Sequence, residues 1–223
     1  MPDPRLAVLH TVAMLAKRFK GMLAERYPGL DTFHMVDESL LQDLIRHGPS
    51  PALETRIVNF ARLAEEDGAT AILFTCSSTS PAVDAARAQV RVPIVKIDDA
   101  MAEIAAGCGS RIGIVCTTPS TRGPSADLVR SYAERDGRSV TIDVELREAA
   151  YRALLAGDRT THDAIVTKAA LALAEDHDVV VLAQASLAHL QPSIAAACDV
   201  PVLASPETCL ASLGERIGVS RPA

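Results

Sequence analysis

The chain has no tryptophan, and aromatic residues make up only 3% of its 223 positions. That removes the stacking platforms on which single-stranded nucleic acid is held. Cations are also in deficit, with 22 Lys and Arg against 28 Asp and Glu, and a net charge of −6 argues against a polyanionic partner. Five cysteines occur, Cys76, Cys108, Cys116, Cys198 and Cys209, but none is paired as C-x-x-C or spaced with histidine as in a zinc site. Their odd number gives no disulfide framework, so a reducing cytoplasm and no metal are expected. No apolar run reaches the ~18 residues of a membrane span. The stretch from Leu6 to Ala16 is broken by His10 and followed by Lys17-Arg18-Phe19-Lys20 where a signal-peptide cleavage site would lie, so it reads as strand then helix.

What is present is aliphatic: 48% of residues are hydrophobic and 22% charged, an ordinary globular balance. Eight short β-type runs lie along the chain, at Leu6 to His10, Thr32 to Val36, Ala71 to Thr75, Pro93 to Ile97, Ile112 to Cys116, Val140 to Val144, Val179 to Ala183 and Pro201 to Ala204. Helical patterns separate most of them, including Leu53 to Glu66, Asp98 to Ala106, Ser125 to Arg135 and Asp163 to Glu175. Alternation of this kind predicts an α/β fold with mainly parallel sheets flanked by helices. Ser80-Pro81, Thr160 or Thr161, Ser186 and Ser205-Pro206-Glu207 are the expected helix starts.

The runs repeat. Arg111-Ile-Gly-Ile-Val-Cys-Thr117 echoes Arg5-Leu-Ala-Val-Leu-His-Thr11 at an offset of 106, and Val200-Pro201-Val-Leu203 echoes Val92-Pro93-Ile-Val95 at 108. Two pseudo-symmetric lobes of four strands each follow. We assign residues 1–107 to the first and 108–205 to the second, with a C-terminal helix at 206–223 packing back on the first. The offset of 108 makes Gln184 the counterpart of Cys76.

In parallel sheets ligands bind beyond the carboxyl ends of the strands. Those ends are decorated here with hydroxyls: Thr11, Cys76-Ser77-Ser78-Thr79-Ser80, Thr117-Thr118-Pro119-Ser120-Thr121, Gln184-Ala185-Ser186 and Ser205. Hydroxyls and free N–H groups at helix starts bind anions without Arg or Lys, so a small carboxylate is the expected guest. Cys76 is the candidate reactive group, because a helix start lowers a thiol's pKa from ~8.5 and makes it a usable base or nucleophile. Cys108, Cys198 and Cys209 sit in Ala-rich helical surroundings and read as small buried hydrophobes. His34, His47 and His177 read as structural, and Lys96 as a surface pair with Asp98 or Asp99.

The order of Phe74-Thr-Cys76-Ser-Ser-Thr, Pro93 to Met101, Arg111 to Thr118, Gly157 to Asp163, Val179 to Ser186 and Pro201 to Pro206 resembles the aspartate/glutamate/hydantoin racemase superfamily. The resemblance implies two α/β lobes with the active site in the cleft between them and no cofactor. It also implies a cysteine after a strand in each lobe, one removing the α-proton and the other returning it. Cys76 matches the first. Where the second motif carries cysteine, Leu182-Ala-Gln-Ala185 has Gln184, and a carboxamide has no proton to exchange near neutrality.

A symmetric two-thiol racemase is therefore not expected. Three one-thiol chemistries stay open: acid/base isomerisation or decarboxylation by Cys76, maleate-isomerase-like addition of Cys76 to a double bond, and a mixed pair in which His10 or His189 replaces the missing acid. Cys76 and Gln184 are the expected catalytic residues, with His10, Thr11, Ser77, Ser78, Thr117, Thr118, Thr121, Ala185 and Ser186 as substrate contacts. A non-catalytic carboxylate-binding or regulatory protein is the rival from another class. Dimers are the expected assembly.

Overall fold

The computed structural model describes residues 3–219. They divide into two compact units, one running to Ile97 and resuming at Cys209, the other spanning Asp98–Thr208. In the first, the chain forms β1 (Arg5–His10), α1 (Ala13–Arg26), β2 (Asp31–Val36), α2 (Glu38–His47), α3 (Pro51–Glu66), β3 (Ala71–Phe74), α4 (Ser80–Arg87) and β4 (Ile94–Lys96). The second holds α5 (Asp99–Cys108), β5 (Arg111–Cys116), α6 (Pro119–Arg135), β6 (Thr141–Leu146), α7 (Glu148–Leu155), α8 (Arg159–Ala174), β7 (Val179–Leu182), α9 (Gln191–Ala195) and β8 (Val202–Ala204). Last comes α10 (Ser205–Ile217), whose residues from Cys209 on count with the first unit.

Each unit holds one four-stranded sheet, ordered β2-β1-β3-β4 and β6-β5-β7-β8, and every pairing is parallel. The central strands are buried throughout β3 and β7 and from the second residue on in β1 and β5. A parallel strand covered by helices on both faces must be largely apolar on both, which is why these segments read as mainly aliphatic runs, with His10 the polar exception at the end of β1. The outer strands β2 and β6 are only partly buried and alternate Thr, His, Asp or Glu with apolar residues.

Three sequence expectations are corrected. The boundary falls at Ile97 rather than 107, because Met101, Ala102 and Ala105 of α5 share a core with Ile112, Ile114, Val179 and Val181 of the second sheet. The helix after Gly157 starts at Arg159 and is capped by Asp158, whose Oδ1 accepts from the Thr161 N–H at 3.0 Å; Thr160 and Thr161 lie inside it. Lys96 is buried, and its Nζ donates to both carboxylate oxygens of Asp84 at 2.9 and 3.0 Å. The residue that ends β4 therefore finds its partner on α4.

In the first unit the Tyr27 hydroxyl donates to Leu210 O at 2.7 Å and accepts from the Gly214 N–H at 2.9 Å, tying α10 to the end of α1. The helix stops at Ile217, and residues 220–223 of the segment assigned to it lie outside the described residues.

Candidate active site

Strand order decides where a ligand can enter a parallel sheet. In each unit the chain leaves the first strand toward one side and returns to pair on the other, so the connections diverge between β1 and β3 and between β5 and β7. The crevice at the carboxyl ends of such a divergent pair is the binding position of open α/β sheets.

In the first unit, Leu9 pairs with Phe74 and the Thr75 N–H donates to Leu9 O, so the next residues at this crevice are Thr11 and Cys76. In the second, Val115 pairs with Leu182 and the Ala183 N–H donates to Val115 O, which brings Thr117 and Gln184 to the corresponding crevice. Cys76 and Gln184 share an extended backbone, with φ −127°, ψ 113° and φ −142°, ψ 137°, and each opens a 3-10 turn.

The expected start at Ser80-Pro81 is where α4 begins, but the 3-10 turn Ser77–Thr79 separates it from Cys76, so the thiol does not adjoin the helix itself. The start expected at Ser186 is corrected. Gln184 is followed by the 3-10 turn Ala185–Leu190, with Ser186 exposed inside it and α9 beginning at Gln191.

At the first crevice the Cys76 thiol is free and half-buried. Thr11, Ser77 and Ser78 are buried beside the strand ends, and the Thr11 Oγ1 has no hydrogen-bond partner. The Ser80 hydroxyl, also buried, has none either. An unpaired buried hydroxyl costs free energy that an incoming acceptor recovers, so these groups favour an anion.

His10 does not fit the role expected of it. It is fully buried, its Nδ1 lies 2.9 Å from Thr75 Oγ1 and its Nε2 lies 2.9 Å from His34 Nδ1, leaving no nitrogen for a substrate. Burial, reinforced by the neighbouring His34, pushes its pKa down to about 4, so the ring is neutral near pH 7.

At the second crevice the hydroxyls are mutually engaged. Gln184 Oε1 accepts from the Thr117 N–H at 2.6 Å and from Thr117 Oγ1 at 2.8 Å. Its amide orientation follows, since a backbone N–H can only donate. Thr118 Oγ1 lies 2.9 Å from Thr121 Oγ1. The carboxamide oxygen thus occupies both Thr117 donors. Ala185 is buried and offers only backbone.

Arg122 escaped the sequence reading as a site candidate, while Ser205 was already read among the strand-end hydroxyls. The Ser205 hydroxyl, fully buried where β8 meets α10, has no partner. Arg122, next to Thr121, acts electrostatically on Cys116 at the end of β5, against the burial that pushes that thiol up to about 11. The signal for Arg122 was its place as a lone cation among the hydroxyls. Cys108, read as buried, is exposed at the end of α5, while Cys209 is buried and Cys198 half-buried.

Residues 7–213 match the sequence profile of the Asp/Glu/Hydantoin racemase family. The chain belongs to this family. Solved racemase-family structures repeat its fold over nearly the whole chain. The Picrophilus torridus aspartate racemase is similar at 13% identity and TM-score 0.70, covering 98% of this chain and 96% of that one. The Francisella tularensis glutamate racemase, in complex with D-glutamate, gives 14% identity and TM-score 0.74 over 96% and 81% of the two chains. Unliganded arylmalonate decarboxylase gives 15% identity and TM-score 0.57 over 98% and 96%. No curated protein matches by sequence. Among the described residues, no helix is long and apolar enough to cross a membrane.

Proposed function

We propose that the protein is a cofactor-independent enzyme of the racemase family that moves a proton at the α-carbon of a small carboxylate, with the Cys76 thiol as its one acid/base. The observation that carries this reading is the pairing of a free thiol and a carboxamide at equivalent strand ends of two identically ordered sheets. The α-proton of a carboxylate is removed only if the developing enolate is stabilised, and hydroxyl and N–H donors serve that purpose. Thr11, Ser77 and Ser78 are the donors beside the thiol. Gln184, at the equivalent strand end of the second unit, has no proton to exchange, and its oxygen is held by the Thr117 donors.

One thiol delivers a proton from one side, so isomerisation or decarboxylation suits it better than a symmetric two-base racemisation. The protein acts in the cytoplasm and as a dimer on this reading. The experiment is α-proton exchange in deuterated water, with CO2 release followed in parallel, over a panel of amino acids, dicarboxylates and malonates. Wild type exchanges or decarboxylates at least one of them, and Cys76→Ser loses the activity by a factor of about 10² or more, the usual contribution of a positioned acid/base. A protein that binds these compounds but neither exchanges nor decarboxylates any is a carboxylate binder, and the proposed chemistry is then wrong.

A further inference from the structure

The second unit also brings together three groups that the acid/base reading leaves unused. His162 and Asp163 lie in the opening turns of α8, and His189 lies on the 3-10 turn after Gln184. The three donor atoms all lie within 4.8 Å of one another. A single carboxylate oxygen, Asp163 Oδ1, stands 2.6 Å from His162 Nδ1 and 2.9 Å from His189 Nε2. The other nitrogen of His189, Nδ1, lies 3.0 Å from Ser186 O.

A carbonyl oxygen only accepts, so His189 Nδ1 carries a ring proton and its Nε2 faces Asp163 Oδ1. A divalent cation seated among the three groups would take one lone pair from each imidazole together with the carboxylate oxygen. The Ser186 carbonyl then does what outer partners of metal-bound histidines do: it holds Nδ1 protonated and turns Nε2 to the ion. His162 would bind through Nδ1 and carry its ring proton on Nε2, which is buried without a partner.

We propose that His162, Asp163 and His189 bind a divalent transition ion of zinc type. Two imidazoles and one carboxylate suit Zn2+, Co2+ or Ni2+, whereas Mg2+ and Ca2+ prefer all-oxygen sets. Ligand atoms around tetrahedral zinc stand about 3.3 Å apart, given bonds of about 2.0–2.1 Å. The separations from Asp163 Oδ1 must therefore open by less than about 1 Å. Three protein ligands leave one coordination position for water, and the half-exposed His189 ring provides the way in. The expectation of no metal rested on cysteine spacing and did not weigh histidines and a carboxylate drawn from separate segments. This inference does not depend on the Cys76 chemistry.

The test uses the full chain, stripped with a chelator and titrated with Zn2+ by calorimetry and with Co2+ by visible absorption. Wild type binds one equivalent, and its Co2+ form shows the d–d bands of a four- or five-coordinate nitrogen and oxygen site without the thiolate charge-transfer band that a cysteine ligand adds. His189→Ala, made at an exposed position that does not support the core, and Asp163→Asn each weaken binding at least about 100-fold, while Cys76→Ser leaves it unchanged. The absence of stoichiometric binding overturns the proposal. So does binding that survives in folded His189→Ala, or that is lost with Cys76→Ser.

Discussion

Lowering the pH from 7 to 5 should destabilise this protein through His10, before most carboxylates titrate. Thr75 Oγ1 donates to Leu9 O at 3.1 Å, so it accepts from the His10 Nδ1–H; His10 Nε2 is then a bare lone pair accepting from the His34 Nδ1–H. A second proton on His10 would face the His34 donor inside a fully buried environment. That is why burial, and then His34, lower the folded-state pKa to about 4. In the unfolded chain the ring titrates near 6.5. Above that value neither state is protonated and stability does not respond. Below it the unfolded state takes a proton that the folded state refuses, so stability falls with a slope approaching about 1.4 kcal/mol per pH unit, to a loss of about 3 kcal/mol by pH 4. His34, also lowered by burial and by Lys20, adds in the same direction. Urea unfolding of wild type and His10→Gln at half-unit steps from pH 8 to 4.5 isolates the effect, since the carboxylates contribute alike to both. A wild-type-minus-variant difference that stays flat between pH 7 and 5 refutes the account. A His10 ring that titrates at or above 6.5 by NMR does the same.

Gln184→Ala strips the acceptor from the buried Thr117 N–H and should cost about 1–3 kcal/mol. Added malonate or acetate should recover part of that loss, and an unmoved urea midpoint would show that the carboxamide contact contributes nothing. Gly109→Ala places a Cβ against the side chain of Asp178, whose Oδ2 accepts from the Ser110 and Arg111 N–H groups at 2.8 and 2.9 Å. The carboxylate must then move off both donors, and thermal melting should show a loss of about 2 kcal/mol. Mass-spectrometric mapping of iodoacetamide labelling at pH 8 should find Cys108 modified ahead of Cys116. The former is exposed, whereas the latter is buried with a pKa near about 11, leaving about 0.1% thiolate at that pH.

The central strands were legible because a buried parallel strand has to be apolar along nearly its whole length, the outer β2 and β6 showed as alternating runs, and the offsets of 106 and 108 exposed the repeat. The hydroxyl-rich strand ends were legible for a similar reason, since a helix start after a strand recruits Ser and Thr wherever it lies. Helix boundaries were less so. The start of α8 moved four residues upstream of Asp163 because Asp158 outcompetes the threonines as a cap. Pattern did place the start of α4 at Ser80-Pro81 but did not show the 3-10 turn between that start and Cys76.

By itself the sequence determined the class of the fold and the repeat of the strand pattern, both of which follow from local composition and spacing. The tertiary structure decided which strand ends adjoin, because sheet order depends on where each crossover returns and no local pattern records that. It made His10 a buried neutral ring locked to Thr75 and His34 rather than a substrate contact. It also set the Gln184 carboxamide on the Thr117 donors and gathered His162, Asp163 and His189 onto one carboxylate oxygen. Such contacts join residues separated by 24 to 67 positions, apart from the adjacent His162–Asp163 pair, and only packing brings them within reach.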